Sequence, residues 1–107
     1  MPSRPRFSVI FAPETLTHLA VIPSRHYRLI RSVIHEQLTY SPDQQTRNRK
    51  PLEPPAPYNA AWELRFGPKN RFRVLYDIEP QQQVVVILAI GIKEGNRLIV
   101  GKQEFEL

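Results

Sequence analysis

At 107 residues the chain can bury one hydrophobic core but is too short for a large enzyme barrel or two lobes. Its composition, 41% hydrophobic and 23% charged, is that of an ordinary globular domain, and the absence of cysteine excludes disulfides, a thiol nucleophile and a cysteine-based zinc site. No apolar run approaches the ~18 residues of a membrane span, and residues 1–7 carry no hydrophobic signal core, so a single cytoplasmic domain over 1–107 with no membrane association is expected.

The 15 Lys+Arg against 10 Asp+Glu leave a formal charge of +5, and the surplus is uneven. Residues 1–73 hold 12 basic and 5 acidic side chains, whereas residues 74–107 hold 3 and 5. Of the basic residues 11 are Arg, the side chain whose planar fork suits bidentate phosphate contacts. A polyanion would meet the first two-thirds of the chain.

Residues 7–11 alternate, with Phe7, Val9 and Phe11 on one face, and predict a strand. Pro13 suits the first turn of a short helix carrying Leu16, Leu19 and Ala20, which Pro23 ends. Ser24 is a candidate N-cap for a longer helix over residues 25–38. On that helix Tyr27, Ile30, Ile34 and Leu38 form the buried stripe, and Arg25, Arg28, Arg31 and His35 the solvent face. Residues 42–58 contain Pro51, Pro54, Pro55 and Pro57, a composition that excludes helix and central strand and favours a stiff surface path.

Residues 61–66 and 71–76 both alternate around the turn Gly67-Pro68-Lys69-Asn70. Pairing Gly67 with Arg71 leaves a three-residue loop with Asn70 in the left-handed position. It also sets Trp62 opposite Tyr76, Leu64 opposite Val74 and Phe66 opposite Phe72, so the hydrophobic pattern selects this register. The other face then carries Glu63 and Arg65, with Arg65 directly across from Arg73; facing like charges are mildly destabilising, and such a pair either sits apart on an exposed face or awaits an anion. After a turn at residues 79–82, residues 84–90 are continuously apolar, as in a strand covered on both faces, and a glycine-punctuated loop follows from Gly91. Residues 98–107 fit a strand or a loop. The order is strand, two helices, three-stranded antiparallel meander: a single α+β domain with helices on one sheet face and the other face at least partly open.

Lys50-Pro51-Leu52, Trp62-Glu63-Leu64-Arg65, Arg71-Phe72-Arg73-Val74-Leu75-Tyr76 and the run from Ile87 to Lys93 follow one another in this order along a basic chain. In these motifs the chain resembles the RelE/ParE family of type II toxin–antitoxin systems. The resemblance implies a ribosome-dependent messenger RNA endonuclease with a cognate antitoxin as its hetero-oligomeric partner. It assigns Arg65, Arg73 and Lys93 to the phosphate, as cations where phosphorane charge develops. Lys50, Arg71 and Glu63 support them, with Glu63 as a base or an ion-pair partner, and Tyr58 is the candidate for base stacking. Two positions depart from the family pattern. Glu63 stands where a basic residue is frequent, and the stretch Arg97-Leu98-Ile99-Val100 lacks the Tyr that assists proton transfer. These departures keep open a ParE-like, non-cleaving toxin that inhibits DNA gyrase, a catalytically silent RNA-binding relative, and a plain RNA-binding module.

No glycine-rich phosphate loop precedes a helix, so no nucleotide cofactor is expected. The three His lack metal-ligand spacing and are expected to face solvent.

Overall fold

The computed structural model describes residues 5–107; Met1, Pro2, Ser3 and Arg4, part of the N-terminal reading, lie outside the described residues. The chain runs β1 (Ser8–Phe11), α1 (Thr15–Ala20), α2 (Tyr27–Leu38), β2 (Arg49–Pro51), β3 (Trp62–Phe66), β4 (Phe72–Glu79), β5 (Val84–Glu94), β6 (Arg97–Val100) and β7 (Gln103–Glu106). Neither helix is long and apolar enough to cross a membrane. The expected α+β order is observed, with a larger sheet. Among the described residues it has seven strands, β2-β3-β4-β5-β6-β7, with β1 joined to β5.

β5 organises the sheet. One of its edges pairs antiparallel with β4. The other is shared, with β1 running parallel along Val84–Ile87 and β6 antiparallel along Ile92–Glu94. The β4–β5 register slips between Leu75 and Tyr76, because Leu75 faces Ala89 whereas Tyr76 faces Ile87, which leaves Leu88 as an extra residue. Such a bulge reverses the inside–outside phase of a strand. Val85, Ile87 and Ile90 therefore join the core beneath the helices, while Ala89 joins the opposite one. An apolar run without alternation is what this requires.

The main core sets Ile30, Ile34 and Leu38, one stripe of α2, against Leu64, Phe66, Phe72, Val74 and Tyr76. Trp62 stacks on Tyr76 with ring centroids 6.1 Å apart, and Phe66 on Phe72 at 5.6 Å. Burial pushes the Tyr76 hydroxyl well above the ordinary tyrosine range, Arg49 opposing and Asp43 reinforcing the effect. That hydroxyl donates to the Pro42 carbonyl at 2.7 Å and pins the start of the proline-rich connection. Tyr27 stands at the margin of the helix stripe, exposed, with its hydroxyl bonded to the Leu19 carbonyl.

Three local expectations are revised and one is sharpened. Ser24 opens a short 3-10 turn ahead of α2, with no side-chain cap at either start, so the entry is fixed by Pro23 and packing. β5 continues through Gly91 to Glu94 where a loop was expected, and residues 97–106 form a hairpin. The sheet face away from the helices, expected to be at least partly open, is closed around Leu75 and Ala89 by a second core of Leu52, Tyr58, Ala60, Leu98, Val100 and Phe105, and stays open where Arg65 and Lys93 lie. The fourth concerns His18, which is buried. It occupies the stretch of β5 edge between β1 and β6, where its Nδ1 accepts the Ile90 N–H at 3.3 Å and its ring meets Tyr58 edge-on at 5.6 Å. A backbone donor exposed by the gap between two strands is thus satisfied by a side chain.

Gly91 lets β6 fold this closely over the sheet: an added Cβ would lie 2.6 Å from the Ile99 carbonyl oxygen and 2.8 Å from Val100 Cγ2. Gly91→Ala is expected to lower unfolding stability by about 2 kcal/mol in urea titrations. Desolvation of His18, partly offset by Glu14, holds its pKa below the usual histidine value. The unfolded chain then binds a proton first as pH falls, so stability is full above about pH 6.5 and declines below it toward the folded-state pKa. His18→Asn should flatten that limb of the stability–pH curve.

Candidate nucleic-acid interface

The Pro68–Arg71 turn brings the basic residues together. Lys69 (φ 55°) and Asn70 (φ 52°) are both left-handed, and the Arg71 N–H donates to the Pro68 carbonyl at 3.1 Å, a β-turn set within the connection between the cross-strand pair Phe66 and Phe72. The sequence expectation of a left-handed Asn70 holds; Lys69 joins it. The strands beside it pair in the register Trp62↔Tyr76, Leu64↔Val74, Phe66↔Phe72, as the hydrophobic pattern requires.

Glu63, Arg65 and Arg73 share the sheet face opposite the helices, with Arg65 paired to Arg73 and Arg73 in turn to Gly91. Lys50 enters this row from the edge strand β2, across from Glu63. The two arginines differ in environment. Arg65 is half-exposed; its Nε donates to the Arg47 carbonyl at 3.2 Å, while Asn48 brackets its backbone through the Asn48 Nδ2 bond to the Arg65 carbonyl at 2.9 Å. Among the described residues its terminal nitrogens have no hydrogen-bond partner.

Arg73 is only 7% exposed. Its NH1 lies 3.3 Å from Glu63 Oε1, with Glu63 4% exposed, and its Nε donates to the Asn70 carbonyl at 2.8 Å. The two guanidinium groups therefore do not project outward as a matched pair, which corrects the expectation drawn from their cross-strand register. Glu63 is an ion-pair partner, not a free carboxylate. A buried cation needs a counter-charge and filled hydrogen bonds, and the Glu63 carboxylate and Asn70 carbonyl supply both.

Lys93 and Arg71 meet at the end of the sheet, where the Lys93 N–H donates to the Arg71 carbonyl at 2.7 Å. Their side chains line an open pocket of about 380 Å³ together with Lys69, Pro68 and Gly95. The Arg71 side chain also meets Glu94 at 3.7 Å, an exposed pair of small energetic weight. Tyr58 is separate from this group. Its hydroxyl donates to Gln103 Oε1 at 2.7 Å, its ring packs on His18 and Phe105, and burial raises its pKa, with Glu14 adding to the effect.

Arg49 escaped sequence reasoning. It is buried and donates to the Gln37 carbonyl (2.9 Å), Gln37 Oε1 (2.6 Å) and the Gln44 carbonyl (3.0 Å), tying the connection to the C-terminal end of α2. A cation is favoured at that end by the helix dipole. Its strand position, two before an apolar residue and beside Lys50, carries no signal that separates it from its solvated neighbours. Among the described residues no group of His, Cys, Asp and Glu could hold a metal ion.

Arg73→Met, which leaves Glu63 buried without its partner, is expected to cost about 3 kcal/mol in thermal or urea unfolding. The double variant Glu63→Gln/Arg73→Met should recover most of that loss.

No family model and no curated protein matches this sequence. A solved structure does: the toxin–antitoxin complex RelBE2 from Mycobacterium tuberculosis superposes with a TM-score of 0.67 at 25% identity, covering 82% of this chain and 99% of the matched one. The family resemblance read from the sequence motifs is thereby matched in three dimensions, and the chain is RelE-like.

Proposed function

We propose that this chain is the toxin of a type II toxin–antitoxin pair and that it cleaves messenger RNA on the ribosome. The observation that carries the reading is a RelE-like fold with Arg65, Lys50, Arg71 and Lys93 at one sheet face, the terminal guanidinium nitrogens of Arg65 having no partner among the described residues. Cations fixed in advance at a phosphodiester stabilise the charge that builds as the ribose 2′-hydroxyl attacks phosphorus. Arg73 acts one step back: bonded to Glu63 and the Asn70 carbonyl, it holds the strand and turn that carry the exposed cations. The antitoxin is the protein partner, and an acidic segment of it would neutralise the basic face.

A second reading has its own support. Glu63 is locked against Arg73, and the Tyr58 hydroxyl has a raised pKa and is bonded to Gln103, so neither offers ready proton transfer. Binding without cleavage, as in a gyrase-inhibiting toxin or a silent RNA-binding relative, accommodates that.

The test is a purified translation reaction with a reporter message, its cut sites mapped by primer extension. Ribosome-dependent cuts are expected, reduced about 100-fold by Arg65→Ala with the fold intact by circular dichroism. An uncut message together with blocked gyrase supercoiling would reject the endonuclease and support the second reading.

A further inference from the structure

His18 stands where α1, β5, the proline-rich connection and the β6–β7 turn meet, and the RNA reading leaves it unused. The pairing of β1 with β5 ends at Ile87 and that of β6 begins at Ile92, so neither strand covers the edge of β5 between them. Into that interval α1 inserts the His18 ring, only 4% exposed, whose Nδ1 accepts the Ile90 N–H. The connection sets Tyr58 edge-on against the ring, and the β6–β7 turn approaches it so closely that a Cβ on Gly101 would lie 3.4 Å from His18 Cδ2.

Tyr58 carries the contact onward to β7, with its hydroxyl on Gln103 Oε1 and its ring 5.6 Å from that of Phe105. It does so from a left-handed backbone, φ 60°, with Asn59 beside it at φ 53°. Such a conformation persists only where the surroundings hold it, and here they are His18, Gln103 and Phe105. The hairpin adds nothing to the core beneath the helices, because Leu98, Val100 and Phe105 all belong to the second core. Its attachment is the short pairing along Ile92–Glu94, that second core, and the contacts gathered at His18.

An accepting Nδ1 requires a neutral ring with its proton on Nε2. A proton on Nδ1 would set donor against donor at Ile90 and leave a desolvated charge, so the protonated ring belongs outside the interval. The charged groups on the packed elements are few. Glu14, on α1 itself, favours the proton but is outweighed by burial. Lys102 is exposed in the β6–β7 turn, and Arg97 and Glu104 of the hairpin engage each other at 3.0 Å. Tyr58 stays neutral, since burial and Glu14 both raise its pKa, and β5 meets the ring through the backbone of Ile90.

We propose that His18 is a proton-released latch on the C-terminal hairpin: when the ring leaves the β5 edge, Tyr58 loses its support and residues 97–107 open as a unit while the core beneath the helices stays folded. Burial alone would make global stability depend on this proton; the contacts single out the part that opens. Opening also removes Leu98 from across Lys93 and loosens the strand end that carries this cation. Only that last consequence bears on the reading under Proposed function, and the latch stands or falls without it.

The experiment is residue-resolved hydrogen exchange of the whole chain by NMR at about pH 7.5 and about pH 5.5, with rates corrected for the intrinsic pH dependence of exchange. Amides of β3 and β4 report global unfolding. Amides of the hairpin and of Ile90 should exchange through a smaller opening, with less protection than β3 and β4, and that protection should fall about fivefold between the two conditions. The sign follows from the lowered pKa: protection is full above about pH 6.5 and is lost as pH falls toward the folded-state value. His18→Asn, whose amide oxygen accepts the Ile90 N–H without titrating, should abolish the fall. Hairpin protection equal to that of β3 and β4, or flat with pH, or falling as much in His18→Asn, overturns the latch. Should the variant not fold, the imidazole nitrogen shifts of the unaltered chain decide. The latch requires the Nε2–H tautomer at the higher pH and hairpin exchange that rises in step with protonation of that ring, and either result missing overturns it.

Discussion

The bulge at Leu88 is the constraint on which the rest of the architecture depends. It lets one strand, β5, supply apolar side chains first to the core under the helices and then, in changed phase, to both cores. A regular strand of the same sequence would turn Ile90 toward the connection and Ala89 toward α2, removing volume where the helix needs it. With the bulge, the longest strand carries the parallel β1, the meander and the C-terminal hairpin at once. The cost is an incomplete edge. β1 and β6 cannot both cover it, and His18 closes the interval with its bond to Ile90. A ring that must remain neutral to accept this N–H makes the junction of two strands depend on protonation.

The basic residues divide into two populations by desolvation. Arg49 and Arg73 are buried and satisfy backbone carbonyls, Arg73 with a carboxylate as well. Arg28 and Arg31 lie on the solvated face of α2 and Arg25 in the exposed turn before it, while Arg65, Arg71, Lys69 and Lys93 gather around the hairpin. The formal +5 therefore overstates what a polyanion would meet as paired charge and understates how locally the rest is concentrated. Guanidinium groups are suited to the buried role, since five donors in one plane can serve a carbonyl and a carboxylate together.

Period-two alternation made much of this sheet legible in the sequence. Trp62, Leu64 and Phe66 against Tyr76, Val74 and Phe72 admit one register with all six core side chains on one face, and that is the register found. The same reasoning places Arg65 across from Arg73 correctly, yet register fixes which backbone positions face each other and leaves the course of a long side chain open. Arg73 turns back to Asn70 and Glu63 because both acceptors are within its reach. His18 was hidden for a related reason. On a helix as short as α1 a polar residue reads as solvated, and the unpaired Ile90 N–H that makes its burial favourable arises only from a long-range gap between strands. The C-terminal hairpin was obscure because Gly91 and Gly95 read as punctuation, whereas Gly91 serves close packing inside β5 and Gly95 turns the chain at φ 60°.

Glu63 decides how the candidate site is built. With a carboxylate at this position Arg73 has a partner in the low-dielectric interior, so its charge is neutralised where it lies and adds little to the field outside. Such a pair favours one arrangement strongly, because moving either member leaves the other desolvated and alone. Its grip extends through Arg73 Nε to the Asn70 carbonyl, which sits in the turn where Lys69 is held left-handed. The sheet thus converts one buried cation into a rigid support for cations at its rim. A basic residue in place of Glu63 would reverse the assignment, setting two positive charges against each other and driving at least one guanidinium outward. The departure from the family pattern and the position of the exposed charge are, on this argument, one structural choice.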